Sequence, residues 1–284
     1  MRDDRKMKVI SSAQEMTAFS ERMRDSNRPI GFVPTMGALH SGHASLVRAS
    51  TTSNDVTVVS VFVNPTQFNE ASDLEKYPRT YDADFKLLSD LGVDVMFYPS
   101  VDEVYPEKES KTYELDGLDA LMEGPNRPGH FNGVVQVVSR LFDIVKPHKT
   151  YFGQKDFQQL AILSYMTKKL GYGIDVIGCP TIREENGLAM SSRNVRLSEK
   201  DKNIAQVIYR TLVGLKDDLQ KIDFLEARDK ALSELSKFDS VELEYLELVE
   251  PDNLKRATTS SKEIQACIAA WISGVRLIDN MRVK

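Results

Sequence analysis

The first 180 residues alternate between short apolar runs and longer segments whose apolar residues recur at helical spacing. The runs are rich in Val, Ile and aromatic residues and predict strands at 30–33, 56–63, 93–98, 150–152 and 174–179. The segments between them predict helices at 44–53, 81–91, 131–145 and 157–170. Strands that are apolar along their whole length must be covered on both faces. The pattern therefore predicts an α/β fold, a Rossmann-like parallel sheet with helices on both faces.

The composition changes after Pro180, and the remaining residues predict a smaller α+β unit. Helical periodicity covers 199–220 and 225–237, and the strand-like segments are 241–245, 264–272 and 275–278. We therefore predict two domains, residues 1–181 and 182–284. The segment 100–129 is rich in proline and charge and predicts loops, a short hairpin and an edge strand at 112–115.

Composition and charge exclude several classes of protein. The 284 residues are 41% hydrophobic and 28% charged, which is incompatible with a mainly disordered chain. A net charge of −5 argues against broad binding to nucleic acid or membrane surfaces. The longest strongly apolar run, 56–63, is too short to cross a bilayer. Cys179 and Cys267 form no C-x-x-C pair, and no apolar signal segment follows the charged N-terminus. We therefore expect a reduced, cytoplasmic protein.

The sequence PTMGALHSGH at 34–43 lies between the first of these strands and the first of these helices. Unpaired N–H groups at a helix start attract anions, and Gly37 would let a ligand approach the backbone. Ser41 is a candidate cap for the helix. His40 and His43 are three residues apart, so both can reach one bound phosphate chain. We interpret the segment as a nucleotide site. A purely structural role and zinc binding stay open, although no third metal ligand lies nearby.

Several amide side chains follow the predicted strands and are candidates for substrate binding. Asn64 and Gln67 come after the second strand, and Gln158 and Gln159 lie on the helix after the fourth. A buried amide without a partner costs about 1–3 kcal/mol, so an inward-pointing Gln needs one. A substrate bearing a hydroxyl or a carboxylate would supply it. A loop role for Asn64 and a solvated side chain for each Gln stay open.

The turn after the fourth strand contains Gly153, Lys155 and Asp156. A cation at a helix start is unfavourable beside the helix dipole, and a docked phosphate would remove that penalty. Gly153 permits close approach of a ribose or base. Asp156 could bond a ribose hydroxyl or simply cap the helix. The turn is therefore a second candidate for nucleotide binding.

The second domain opens with Met190-Ser191-Ser192-Arg193-Asn194. Two hydroxyls and a guanidinium in succession could bind a triphosphate, because arginine presents several fixed donors to phosphate oxygens. A helix-capping turn is the alternative, since Ser and Asn favour such positions.

Taken together, six ordered blocks along nearly the whole chain resemble the pantothenate synthetase family of the nucleotidyltransferase superfamily. That superfamily includes the class I aminoacyl-tRNA synthetases. The blocks are PTMGALHSGH at 34–43, FVNPTQF at 62–68, YPRT at 77–80, RPGHFNGV at 127–134, FGQKDFQQL at 152–160 and GLAMSSRN at 187–194. The C-terminal AAWISGVRLIDN also resembles the last strands of that family.

The resemblance implies an ATP-dependent ligase that joins (R)-pantoate to β-alanine through a pantoyl adenylate, releasing pantothenate, AMP and pyrophosphate. It implies Mg²⁺ as the companion of ATP, small-molecule partners, and a homodimer. Asp84 is the candidate metal ligand, although its neighbour Ala83 stands where some relatives have an acidic residue.

The resemblance also assigns roles to individual residues. It implies catalytic roles for His40, His43, Lys155 and Arg193, with His43 as the proton donor. It implies pantoate binding by Gln67 and Gln159, with Asn64 nearby. The residues it implies for ATP binding are Met36, Gly37, His40, His43, Gly153, Lys155, Asp156, Ile182, Met190, Ser191, Ser192 and Arg193.

Two other functions are compatible with the same motifs. An adenylyltransferase of the same superfamily would share the H-x-G-H turn, but it should carry more basic residues for a phosphorylated acceptor. A catalytically silent nucleotide-binding regulator would not need both histidines, Lys155 and Arg193.

Overall fold

The computed structural model describes residues 6–68, 71–107 and 111–284. These residues form two compact units. The first comprises the described parts of Met1–Leu115, Arg127–Gln154 and Ile162–Pro180, and the second comprises Asp116–Asn126, Lys155–Ala161 and Thr181–Lys284. Two short segments from before residue 181 thus belong to the second unit, and the predicted division at 181/182 stays a prediction.

The strands form one parallel and one antiparallel sheet. They are β1 (Lys8–Ile10), β2 (Ile30–Thr35), β3 (Val56–Val61), β4 (Val95–Phe97), β5 (Lys149–Gly153), β6 (Asp175–Cys179), β7 (Val241–Val249), β8 (Gln265–Ile272) and β9 (Val275–Arg282). In the first unit the order is β1-β4-β3-β2-β5-β6, and every neighbouring pair is parallel. This confirms the predicted Rossmann-like α/β architecture.

The α-helices of the described residues are α1 (Ala13–Asp25), α2 (Ser41–Ser53), α3 (Ala71–Lys76), α4 (Tyr81–Asp90), α5 (Val101–Val104), α6 (Glu123–Asn126), α7 (His130–Val145), α8 (Phe157–Lys169), α9 (Glu199–Asp218) and α10 (Phe224–Leu235). Short 3-10 turns cover Pro65–Gln67, Gln154–Asp156 and Ser192–Arg196. No helix of the described residues is long and apolar enough to cross a membrane.

Alternation along β2 explains why helices cover both faces of the parallel sheet. The Phe32 ring packs edge-on against Phe142 of α7, with 6.4 Å between ring centroids. The next residue, Val33, belongs to a separate cluster of buried side chains that includes Leu46 and Val47 of α2. Successive side chains of a strand point to opposite faces, so each face of β2 meets its own helix.

The strand order reverses beside β2. From β2 the chain proceeds outward through β3 and β4, whereas β5 pairs with the other side of β2 and is followed by β6. In open parallel sheets, ligands bind beyond the carboxyl ends of the strands at such a reversal. The loops after β2 and β5 therefore lie where this fold binds its ligands.

The second unit is built on the antiparallel sheet β7-β8-β9. Helices α9 and α10 pack on it, and its apolar core includes Ile208, Leu212 and Leu235 from the helices. A bulge shifts the register of β7 between Leu243 and Tyr245. The predicted α+β character of this part of the chain is confirmed.

Some sequence predictions were wrong. The segment 112–115 forms no strand, and the described part of 100–129 contains two short helices, α5 and α6, instead of a hairpin. Residues 108–110 lie outside the described residues. The sequence reasoning also missed β1 and α1, which open the fold.

Candidate functional site

The turn between β2 and α2 has an unusual backbone. Gly37 and Ala38 both have positive φ angles, 82° and 49°. A Cβ at Gly37 would lie 3.0 Å from both Asp84 Oδ2 and Val61 Cγ1, so a larger residue would crowd the turn as well as strain it. Glycine at position 37 therefore favours this turn, because a larger residue there would be both crowded and strained.

Asp84 of α4 holds this turn in place. Its Oδ2 accepts the Ala38 N–H at 3.0 Å and its Oδ1 accepts the Leu39 N–H at 2.8 Å. The residue is only 2% exposed, so the two charge-assisted hydrogen bonds are shielded from water. The carboxylate therefore stabilises the left-handed residue Ala38 and the approach to α2.

The two histidines cap α2 reciprocally. His40 is the N-cap residue and its Nδ1 accepts the Gly42 N–H at 3.1 Å, while Nδ1 of His43 accepts the His40 N–H at 3.3 Å. The ring centroids are 4.2 Å apart. A neutral imidazole that accepts at Nδ1 carries its proton on Nε2. Both Nε2 atoms are therefore N–H donors, the type of group that binds phosphate oxygens.

The expectation that Ser41 caps this helix was wrong, because Ser41 is its first residue.

The fit of this region to a divalent metal is poor. Asp84 belongs to no group of three or more His, Cys, Asp or Glu side chains placed to hold a metal, within the described ranges 6–68, 71–107 and 111–284. Both of its oxygens already accept backbone N–H groups. Mg²⁺ is commonly held by one or two carboxylates together with phosphates and water. A single carboxylate whose oxygens both accept backbone N–H groups would be a weak ligand for the ion. The role of Asp84 as a metal ligand stays a prediction.

The loop after β3 is held by Asn64. The residue is 1% exposed, and its Nδ2 donates to Gly133 O and to Gln67 Oε1, both at 3.2 Å. Its Oδ1 accepts the Tyr105 hydroxyl at 3.0 Å. Asn64 thus positions Gln67, whose Nε2 also lies 2.9 Å from the sulfur of Met36. The structure gives Asn64 a loop-supporting role, and direct pantoate binding by either residue stays a prediction.

A small pocket lies beside this turn in the first unit, with a volume of about 190 Å³. It is bounded by the ends of β2, β3 and β4 and by the start of α4, and Met36, Gly37 and Asp84 line it together with Arg79 and Ser100. The pocket shows that the carboxyl edge of the sheet is concave next to the histidine turn.

In the second unit, Lys155 and Asp156 belong to the 3-10 turn that precedes α8. Lys155 Nζ lies 3.7 Å from Asp156 Oδ1, and the side chains are 17% and 49% exposed. The Lys155 carbonyl accepts the side-chain amide of Asn280 at 2.7 Å. The lysine is thus a partly shielded cation at a helix start, as the sequence predicted, while Gly153 ends β5 in the first unit.

The two neighbouring glutamines of α8 differ sharply. Gln158 is 4% exposed, accepts the Glu123 N–H at 2.9 Å and donates to the carbonyls of Leu118 and Leu121. Its amide is fully used by the protein. Gln159 is only partly buried, and its side chain forms no hydrogen bond with any described residue. Of the two, Gln159 is the one whose amide remains for a ligand.

The segment before the serines folds back on itself as a short hairpin-like turn. The Met190 N–H donates to the Ile182 carbonyl at 2.9 Å, and Arg183 bridges to Ala189. Ser191 then caps the 3-10 turn by accepting the Arg193 N–H at 3.2 Å. The side chain of Arg193 is exposed and that of Ser192 is partly buried. The capping alternative for Ser191 is therefore correct, and it leaves the guanidinium of Arg193 outside the turn.

Sequence reasoning missed the polar residues that support the second unit. Asp279 binds the Arg183 guanidinium through two hydrogen bonds of 2.6 and 2.9 Å. Arg276 binds Glu123 and Glu244 together, and the Tyr245 hydroxyl donates to Glu123 at 2.7 Å. Burial and the adjacent Glu123 carboxylate raise the pKa of Tyr245, so its phenol stays protonated. Arg276 and the Asp279-Asn280 pair, which stand among apolar residues of β9, were the available sequence signal.

The structure does not bring all the predicted residues into one unit. Met36, Gly37, His40, His43, Asn64, Gln67, Asp84 and Gly153 lie in the first unit. Lys155, Asp156, Gln159, Ile182, Met190, Ser191, Ser192 and Arg193 lie in the second. Each unit thus carries histidine, lysine or arginine side chains suited to an anion.

Comparison with known proteins gives matches over nearly the whole chain. The family model described as Pantoate-beta-alanine ligase matches residues 8–282. The pantothenate synthetase of Bacteroides thetaiotaomicron is 46% identical over 280 residues, which cover 98% of this chain and 99% of that protein. That of Thermotoga petrophila is 45% identical over 281 residues, covering 96% and 99%.

Solved structures agree with these matches. The pantothenate synthetase from Thermus thermophilus superposes with a TM-score of 0.91 at 41% identity, covering 98% of this chain and 99% of that one. The pantoate-β-alanine ligase from Francisella tularensis was solved as a complex with β,γ-ATP and β-alanine. It superposes with a TM-score of 0.79 at 35% identity, covering 98% of both chains.

Proposed function

The chain belongs to the pantoate–β-alanine ligase family, and from this premise we propose that it condenses (R)-pantoate with β-alanine through a pantoyl-adenylate intermediate. Pantothenate, AMP and pyrophosphate are the proposed products. The observation that carries the proposal is the reciprocal capping of His40 and His43, which makes both Nε2 atoms N–H donors at the start of α2. A helix N-terminus with added donors is suited to a polyphosphate.

The chemistry explains why such donors are needed. A carboxylate is a poor electrophile, so in the proposed first step a pantoate oxygen attacks the α-phosphorus of ATP and pyrophosphate leaves. Negative charge shifts onto the departing phosphates, and fixed donors stabilise it. We assign this role to His40 and His43, with Nε2–H of His43 as the proton donor of the hydrogen bond to the departing phosphates. The β-alanine amine then attacks the activated carbonyl, and AMP departs.

Lys155 and Arg193 supply positive charge from the second unit. The turn of Lys155 is held by Asn280, and Ser191 caps the 3-10 turn that contains Arg193. We propose that both side chains bind the triphosphate, with backbone contacts from Met36, Gly37 and Ile182 and a further contact from Met190. Gly153, Asp156 and Ser192 complete the proposed ATP-binding set.

Gln67 and Gln159 are the proposed pantoate ligands. An amide can donate to a carboxylate and accept from a hydroxyl, and pantoate carries both groups. The contrast between Gln158 and Gln159 supports the choice of Gln159, because the amide of Gln158 is occupied by the backbone. Asn64 supports Gln67 by donating a hydrogen bond to its Oε1.

Mg²⁺ is proposed as the companion of ATP. Because Asp84 uses both oxygens to hold the turn before α2, the phosphates themselves would supply most of the ligands. No step of the proposed mechanism depends on a protein-bound metal. We also propose a homodimer, which rests on the family resemblance and which sedimentation analysis can test.

Product analysis tests the proposed function. The protein is incubated with ATP and Mg²⁺, with pantoate or β-alanine alone, and with both acids. We expect AMP and pantothenate to accumulate in equal amounts only when both acids are present. A stable adenylylated product from a phosphorylated acceptor would support an adenylyltransferase instead. Binding of ATP without turnover under every condition would support a nucleotide-binding regulator.

A further inference from the structure

Two consecutive polar residues of strand β9 in the second unit are buried. Asp279 is 4% exposed and Asn280 is 8% exposed, so both are buried. Buried polar groups are costly unless they are hydrogen-bonded, and each specific pair needs an explanation. Sheet formation itself does not require these side chains, because the β8–β9 ladder is made by backbone groups.

Asn280 uses its side-chain amide to hold the turn of Lys155. Its Nδ2 donates to the Lys155 carbonyl at 2.7 Å, and its Oδ1 accepts the side-chain amide of Gln265 at 2.7 Å. Gln265 lies on β8 diagonally across from Asn280, two residues before its direct partner Cys267, and is 5% exposed. The orientation of the Asn280 amide is therefore fixed by Gln265, and the carbonyl of Lys155 is fixed in turn by Asn280.

Asp279 connects the same point of β9 to the segment before the serines. Its carboxylate forms a bidentate pair with Arg183, whose Nη1 also donates to the Gly187 carbonyl at 3.0 Å. The Arg183 guanidinium lies 4.4 Å from the centre of the Tyr209 ring. The backbone N–H of Asn280 donates to Asp279 Oδ1 at 2.8 Å. One dipeptide thus holds the Lys155 turn and the 183–190 turn together.

We propose that Asn280 is a positioning residue for ATP binding, which acts by fixing the turn that carries Lys155, with Asp279 anchoring the turn that leads to Arg193. This inference rests on the proposed function, because it assumes that Lys155 contacts the triphosphate. It goes beyond that function in assigning a role to a residue that carries no charge and lies on the C-terminal sheet. Without Asn280 the lysine would sample other positions, and ATP affinity would fall.

A double-mutant cycle tests the proposal. ATP affinity is measured by calorimetry in the absence of pantoate for the wild type, Asn280→Ala, Lys155→Met and the double variant. We expect Asn280→Ala to weaken ATP binding about tenfold, in line with the loss of one buried hydrogen bond. If Asn280 acts through Lys155, the double variant binds ATP no more than about twofold more weakly than Lys155→Met alone. Ile208→Val, a buried change on α9, controls for lost stability and should leave ATP affinity unchanged.

The possible results distinguish a failure of the Lys155 assignment from a failure of the positioning role of Asn280. If Lys155→Met binds ATP like the wild type, the assignment of Lys155 fails and this inference fails with it. If Lys155→Met weakens binding but Asn280→Ala has no effect, or the two effects add fully, the positioning role alone is overturned. Should Asn280→Ala fail to fold, Asn280→Ser is measured in the same cycle, with the same criteria.

Discussion

The two ring nitrogens of His43 have different roles. Its Nδ1 accepts the His40 N–H, and the proposed proton donor is Nε2. In His43→Asn the amide oxygen can replace Nδ1, but nothing replaces Nε2–H. We therefore expect turnover to fall by about 10²–10³, the usual loss for one charge-stabilising donor. The measurement is the steady-state turnover number for pantothenate formation.

The same substitution at another histidine is the control. Nδ1 of His148, the residue before β5, accepts the N–H of Ile30, the first residue of β2. His148 therefore lies at the amino ends of these strands, whereas the motifs follow their carboxyl ends, and His148→Asn should retain at least half of the wild-type rate. Near-normal turnover in a folded His43→Asn variant would remove His43 from the mechanism.

Gln158 and Gln159 form a matched pair of neighbours with opposite roles. Gln159→Ala should raise the KM for pantoate about tenfold or more while the free energy of unfolding stays nearly constant. Gln158→Ala should lower the free energy of unfolding by about 1–3 kcal/mol, because it leaves buried backbone groups of 118–123 without partners. Steady-state kinetics and urea unfolding measure the two effects. A stability loss in Gln159→Ala with an unchanged KM would contradict the assignment.

Sequence reasoning found the reactive types of residue but could not separate these two glutamines. The spacing of His40 and His43 predicted a shared face, and the structure places their rings side by side. Gln158 and Gln159 are identical in type and adjacent, so only the face of α8 that packs against 118–123 distinguishes them.

Asp84 links α4 to the turn before α2, so a substitution at this position tests whether α4 holds that turn. Asp84→Asn replaces a carboxylate that accepts two N–H groups with an amide that has one acceptor oxygen and a donor. We expect the free energy of unfolding to fall by about 1–3 kcal/mol, with turnover reduced because the histidine turn is released. Asp82→Asn, an exposed position on the same helix, should change neither quantity.

The metal hypothesis makes a different prediction for the same variant. If Asp84 were chiefly a magnesium ligand, Asp84→Asn would keep its stability and instead require more Mg²⁺ for half-maximal rate. Urea unfolding together with a Mg²⁺ titration of the rate therefore distinguishes a structural carboxylate from a metal-binding one.

Elements with strong apolar patterns were predictable, and weakly patterned ones were not. The strands β2 and β3 are buried along nearly their whole length, and the sequence predicted both. Strand β1 has three residues, of which only Ile10 is buried, so no periodicity revealed it. The residues 112–115 have strand-like composition, yet Tyr113 is held by the Asn132 side chain rather than by a neighbouring strand.

At the scale of the whole molecule, His148 should make stability depend on pH. Burial, followed by the charge of Arg24, lowers the pKa of His148 below its usual 6.5, and its Nδ1 accepts the Ile30 N–H. The unfolded chain therefore takes up a proton at higher pH than the folded one does. The contribution of neutral His148 to the free energy of unfolding is complete above the pKa of this residue in the unfolded chain. It is lost as the pH falls through the pKa of His148 in the folded protein.

We expect the free energy of unfolding to drop more in the wild type than in His148→Asn between about pH 7.5 and about pH 5.5. The asparagine oxygen can accept the Ile30 N–H but does not titrate. Urea unfolding at the two pH values gives the comparison, and identical pH dependence in both proteins would show that His148 does not contribute.

The division into two units explains why the candidate site could be predicted only in part. The motifs at 34–43 and 62–68 follow strands of one sheet, so general rules for parallel sheets place them at the same edge. The side chains that hold the Lys155 turn and the 183–190 turn before Arg193 come from β9, far from both turns along the chain. The Asp-Asn pair stands out among the apolar residues of β9, but only the tertiary structure identifies the turns that Asp279 and Asn280 hold.

We propose above all that this protein activates the carboxylate of pantoate with ATP. The most direct test is the exchange of labelled pyrophosphate into ATP with pantoate present and β-alanine absent. We expect exchange that requires pantoate, falls by orders of magnitude in His43→Asn and persists in His148→Asn. Exchange that proceeds without pantoate, or no exchange at all in a folded protein that binds ATP, would contradict this proposal.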